Sequence, residues 1–309
     1  MSPTARVNDI GTVEEGPLAA VLAALARDDP GGVVAALDGQ LHHGQPGSPA
    51  ALRQKVGERL AVALAKQSSR ASRWIEALAT SPSPTARQVA CLLLASRYPD
   101  DPVMVLRTAE MLAEDPHWEV REAAGGLLGT LLDRDFNRIR ARLTTMRSSR
   151  SENLRRAVVL AVKYAARRDK PERVPDLLQL LQPLLRDEEP DVRRNLGAYT
   201  LGDALLRIDP KETLRVLREW SKDRDQMVRW NVAMAFSSAI GSFHWPATKS
   251  ILERLAKGPE PLVRNAVAKA MRRSRQRYTE EVEETRLRWL KDRDRSATAV
   301  LVGPLKKRS

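Results

Sequence analysis

A single cysteine in 309 residues, Cys91 within VACLLLA, leaves no partner for a disulfide. With only four histidines beside it, the chain also lacks the ligands of a cysteine-rich zinc site. Aromatic residues make up 4% of the sequence, and the β-branched and aromatic runs that strands prefer are scarce. No run of about 18 uncharged apolar residues occurs, and MSPTARVNDIGTVEEGP has no basic segment followed by an apolar one. A membrane span and a secretory leader are therefore not expected, and a soluble protein of the reducing cytoplasm is. No phosphate-cradling glycine loop, Ser/His/Asp set or metal-ligand spacing stands out, so neither metal nor cofactor is expected.

What is present is Ala, Leu, Val and Arg, a composition that favours helices. The formal net charge is +13 and the pI near 10.3. That charge is uneven: residues 1–50 carry 2 basic and 6 acidic side chains, and residues 272–309 carry 12 and 6. The middle of the chain is itself basic, at +11. Such a field attracts polyanions, nucleic acid first and an acidic membrane or protein surface after it.

A short pattern of an apolar residue, Arg and a third residue recurs at Arg53, Arg87, Arg121, Arg155, Arg193, Arg229 and Arg264, in steps of 34, 34, 34, 38, 36 and 35. Three residues after each arginine stands Val56, Ala90, Ala124, Val158, Leu196, Val232 or Val267. Positions −1 and +3 thus make an i, i+4 apolar stripe on one helix. Amphipathic segments such as PKETLRVLREWSKD precede most copies. Each unit reads as a helical hairpin that buries its apolar face only against its neighbours. The expected fold is all-α: a right-handed α-solenoid of about seven HEAT-like hairpins over residues 16–276. A disordered stretch, 1–15, precedes it, and a capping helix with a basic tail, 277–309, follows.

In HEAT repeats an Asp six residues before the Arg supports a ladder between units, and Asp115, Asp187 and Asp223 stand at that spacing. Gly47, Ser81, Ser149 and Gly258 fill the other places, so Arg53, Arg87, Arg155 and Arg264 need other acceptors. The next column reads Gln54, Gln88, Glu122, Arg156, Arg194, Trp230 and Asn265, with no aliphatic residue. It is expected to face outward, on the ligand-binding side of the solenoid. Glu122 is its only acid. Trp118 lies one helical turn ahead, so an aromatic face and a carboxylate look the same way.

The order of WEVRE, LRRAVVLAVKYAARR, DVRRNLGAYTLGDALLRIDPKETLRVLREW and VRWNVAMAFSSAIG resembles the DNA alkylation repair proteins of the AlkC/AlkD type over about residues 102–275. The resemblance implies a basic face that cradles duplex DNA carrying N-alkylated purines. It also implies an aromatic residue followed four positions later by a carboxylate that aids cleavage of the glycosidic bond. Trp118 and Glu122 match that spacing, with Glu where the family has Asp. The family's second tryptophan falls near Arg194, and Trp230 stands one unit later. Trp118, Glu122 and Trp230 are then the catalytic set, and Arg156, Arg194, Lys163 and Arg272 the DNA-binding cations. A one-residue shift of the match puts Arg121 in the carboxylate's place and implies a non-catalytic relative. The alternative function is a non-enzymatic scaffold for an acidic protein partner.

Trp74, Trp220 and Trp289 lie on amphipathic helices and are expected in the core. Asp203 is either a second carboxylate for the binding face or part of a polar network between hairpins. The longer step between Arg155 and Arg193 fits an extended turn around Asp169, Lys170 and Pro171.

Overall fold

The computed structural model describes residues 15–42, 45–46 and 49–305. The expected disordered segment, 1–15, lies outside them save for Glu15, as does the end of the basic tail. The chain divides into two compact units, residues 1–131 and 132–309.

The first unit holds the helices Glu15–Ala26, Pro30–Asp38, Ala50–Leu64, Ser68–Ala79, Pro84–Arg97 and Pro102–Ala113, and most of Trp118–Arg134. A two-residue antiparallel ladder, Leu41 opposite Pro46 and His42 opposite Gln45, lies between Pro30–Asp38 and Ala50–Leu64. In the second unit the hairpins continue through Phe136–Met146 and Glu152–Ala165, then Pro210–Trp220 and Gln226–Ala235, then Trp245–Leu255 and Pro261–Ser274. The C-terminal segment holds two helices, Thr279–Leu290 and Ser296–Val302, where one is expected.

Helix starts follow from local chemistry. Ser83, Asp101, Ser151 and Asp209 each accept a backbone N–H three residues on, and Pro84, Pro102 and Pro210 take the first helical turn, where a missing N–H costs nothing. All seven repeat arginines fall on the second helix of a hairpin or its equivalent. Every −1 and +3 residue is buried except Leu154, which is half-buried. These stripes pack against one another within each unit: Ala50–Leu64 on Pro84–Arg97 in the first, and Gln226–Ala235 on Pro261–Ser274 in the second. Each unit is thus built from side-by-side hairpins, the α-solenoid pattern. Trp74, Trp220 and Trp289 are buried.

The ladder differs from the expected one. Arg121 reaches the residue six before it only through the backbone, its Nη1 donating to the Asp115 carbonyl at 2.8 Å. The Asp115 carboxylate instead accepts from Arg87, one hairpin earlier, at 2.6 and 3.0 Å. Arg155 pairs in the same way with Asp187 at 2.6 and 3.2 Å, and Arg229 with Glu260 at 2.5 Å. A carbonyl needs no particular side chain, which is why Ser81 and Ser149 serve as well as Asp: their carbonyls accept from Arg87 and Arg155.

One second helix departs from α geometry. Pro190–Asn195 continues as a π-helix over Leu196–Leu205, the Leu206 N–H donating five residues back to the Leu201 carbonyl. It packs on Gln226–Ala235 at very short range. A Cβ on Gly197 would stand 2.7 Å from that of Met234, and one on Gly202 would overlap the Ala235 carbonyl oxygen.

Candidate nucleic-acid interface

In the first unit, Trp118 opens its helix and is 59% exposed, high for an indole. Glu122, one turn on, is half-buried. Between them Glu119 accepts from the Gln88 amide at 3.2 Å. Burial draws the Arg53 guanidinium below its ordinary pKa, and Glu119 opposes that. Arg121, the alternative occupant of the carboxylate's place, has its Nη1 committed to the Asp115 and Pro116 carbonyls at 2.8 and 3.0 Å.

The outward column is not uniform. Gln54, Arg194 and Asn265 are exposed and Trp230 is half-buried, but Gln88 is buried and leans onto the next hairpin. Arg156 is only 9% exposed, so it has little guanidinium surface to offer a phosphate. Arg272 is exposed but its Nη1 donates to the Leu301 carbonyl at 2.5 Å, which ties it to the last helix. Lys163 lies with its Nζ 4.7 Å from the ring centre of Tyr164 and 5.8 Å from that of Tyr199, and both tyrosines are exposed.

Arg194 and Trp230 share a cleft of ≈ 590 Å³ in the second unit. Tyr199 and Asp203 line it from the π-helix, and Lys269 and Arg273 from Pro261–Ser274. Arg193 leaves the ladder here. Asp223, which its column would give it, is taken by Arg186 at 2.7 Å, and the Arg193 guanidinium lies 5.6 Å from the Trp230 ring centre. Asp203 Oδ1 accepts the Ile240 N–H at 2.9 Å, a polar contact between hairpins, and the residue also lines the cleft. Tyr199, Lys269 and Arg273 have no part in the repeat pattern; the Tyr199–Asp203 spacing of four is the one signal in the sequence that could have drawn attention to them.

The model for the family described as DNA alkylation repair enzyme matches residues 47–200, and that for HEAT repeats matches residues 179–272. This chain resembles the HEAT-repeat proteins of the DNA alkylation repair family. Among solved structures, the X-ray structure of YibA from Escherichia coli is 17% identical; the match covers 83% of this chain and 89% of that one, with a TM-score of 0.37. The curated proteins contain no match. Within the described residues, no helix is long and apolar enough to cross a membrane. No group of three or more His, Cys, Asp and Glu side chains is arranged to hold a metal ion among them either.

Proposed function

We propose that this protein belongs to the DNA alkylation repair family whose model it matches, binds duplex DNA containing N-alkylated purines and releases the damaged base. The observation that carries the reading is Trp118, an exposed indole one helical turn ahead of the half-buried Glu122. An N-alkylated purine is cationic and therefore a good leaving group. When the glycosidic bond breaks, its electron pair neutralises the base and leaves positive charge on the sugar. Glu122 stabilises that charge, and water then bonds to C1′ and loses a proton. The face of Trp118 holds the cationic base by cation–π attraction. In the second unit, exposed Arg194 and half-buried Lys163 supply phosphate contacts, and Trp230 a further aromatic contact. Arg156, which is buried, and Arg272, whose Nη1 donates to the Leu301 carbonyl, are left out of these contacts.

The test is release of methylated purine from alkylated duplex DNA. Glu122→Gln is expected to lower release by about a hundredfold or more and to leave duplex affinity within a few-fold. An unchanged rate removes Glu122 from catalysis. Tight binding without release by the wild-type protein would leave a DNA-binding protein without the chemistry, and the absence of both would favour an acidic protein partner.

A further inference from the structure

Beside Trp230 and Arg194, the cleft of the second unit carries Tyr199, Asp203, Lys269 and Arg273, which base release at Glu122 does not use. Two aromatic rings, Trp230 and Tyr199, line it together with Arg194, Lys269 and Arg273, against one lining carboxylate, Asp203. Tyr199 is 50% exposed, with Lys163 Nζ 5.8 Å from its ring centre. At ≈ 590 Å³ the cleft falls in the range of small-molecule sites, about 300–1,000 Å³. Its floor is fixed: Gly197 and Gly202 let the π-helix close on Gln226–Ala235 with no room for a Cβ. The Asp203 carboxylate is held by the Ile240 amide through Oδ1, and the residue lines the cleft, which leaves Oδ2 as a further acceptor.

We propose that this cleft holds one unpaired nucleotide of a DNA strand. The base lies against Trp230 and Tyr199, an N–H of the base donates to Asp203 Oδ2, and the phosphates sit on Lys269 and Arg273. Stacking on aromatic side chains is how single strands are held, because every base has a π-face. A carboxylate accepts but does not donate, so Asp203 favours bases with an exocyclic amine over thymine, whose one ring N–H lies between two carbonyl oxygens that repel it, and turns phosphate away towards the cations. Lys269 is exposed, which suits a phosphate ligand. The proposal takes only its ligand class from the reading above and needs no base release.

The same chemistry would accept a free mononucleotide, so the experiment separates the two. A single-stranded oligodeoxynucleotide with one 2-aminopurine among thymidines is titrated with the full-length protein, and quenching of its fluorescence is followed. Free dAMP is the competitor, and release of methylated purine from duplex DNA is measured on the same preparation. Trp230→Leu and Tyr199→Ala are each expected to weaken quenching roughly tenfold, with circular dichroism unchanged. The exposed Tyr199 makes its variant the safer of the two for folding. Joint replacement of Lys269 and Arg273 by Gln is expected to flatten the salt dependence by up to about 1.4 in log–log slope. Asp203→Asn, which keeps an oxygen for the Ile240 amide, should narrow the preference for the aminopurine strand over an all-thymidine one. Quenching by all these variants equal to wild type overturns the proposal. Competition by dAMP as effective as by the strand overturns the strand and leaves a free-nucleotide site. Quenching without base release upholds the cleft and removes only the glycosylase reading.

Discussion

Asp28 combines a left-handed backbone, at φ 59°, with three donors to its carboxylate. Trp74 Nε1 and Arg70 Nε each donate at 2.7 Å, and Arg73 completes the set. The Trp74 hydrogen bond, then that of Arg70, brings its pKa down to about 2 from an ordinary 3.8. A folded-state pKa below the unfolded one means the stabilisation is complete above 3.8 and is lost as the pH falls towards 2. Asn tolerates the same backbone and removes the charge. Asp28→Asn should therefore be less stable than wild type near neutral pH, with the gap in urea midpoint closing between 3.8 and 2. A gap independent of pH would mean that the carboxylate charge contributes nothing there. Cys91 is set by burial too, which pushes its thiol up to about 12, with Asp115 adding to the effect, so its place in the core, not reactivity, accounts for it.

At the scale of elements, neighbouring hairpins are joined by Arg–Asp pairs of unequal burial. In the first unit the Arg87 and Asp115 side chains are 13% and 6% exposed, whereas Arg186 and Asp223, in the second, are 48% and 26%. Both acids also accept the backbone N–H two residues on, at His117 and Asp225. Removing one partner of a buried pair leaves a desolvated charge, so Asp115→Ala should cost about 3–5 kcal/mol. Asp223→Ala loses the same kind of turn bond but a more exposed pair, at about 1–2 kcal/mol. Urea unfolding of the two variants measures the difference, and equal costs would show that the ladder pair adds nothing beyond its turn. The ladder was half legible in the sequence. The spacing of six singles out Asp115 but assigns its carboxylate to Arg121, because a count along the chain cannot separate a carbonyl contact from a carboxylate one. The true partner, Arg87, is 28 residues back.

The whole molecule carries a net charge of +13, and phosphate contacts should dominate its affinity for DNA. Duplex binding is expected to fall steeply with salt and to depend little on sequence. Arg194→Ala, at an exposed cation, should flatten the log–log salt slope by about 0.9 and weaken all duplexes alike. An unchanged slope from a salt titration by fluorescence anisotropy would remove Arg194 from the interface.

The sequence by itself determined the helical class, the seven second helices and the buried −1 and +3 stripe, because i, i+4 geometry is local and repeats with the chain. It also singled out Trp118 and Glu122 as neighbours on one helix. Only the tertiary structure decided that Arg156 is buried while Arg194 is exposed, though both occupy the same column, since burial depends on what the next hairpin lays over the position. The cleft around Trp230 was equally hidden. It needs a π-helix whose register no residue pattern announces, two glycines at the contact with Gln226–Ala235, and an arginine turned out of the ladder by competition for Asp223. Those are contacts between residues far apart in the chain, and packing, not periodicity, selects them.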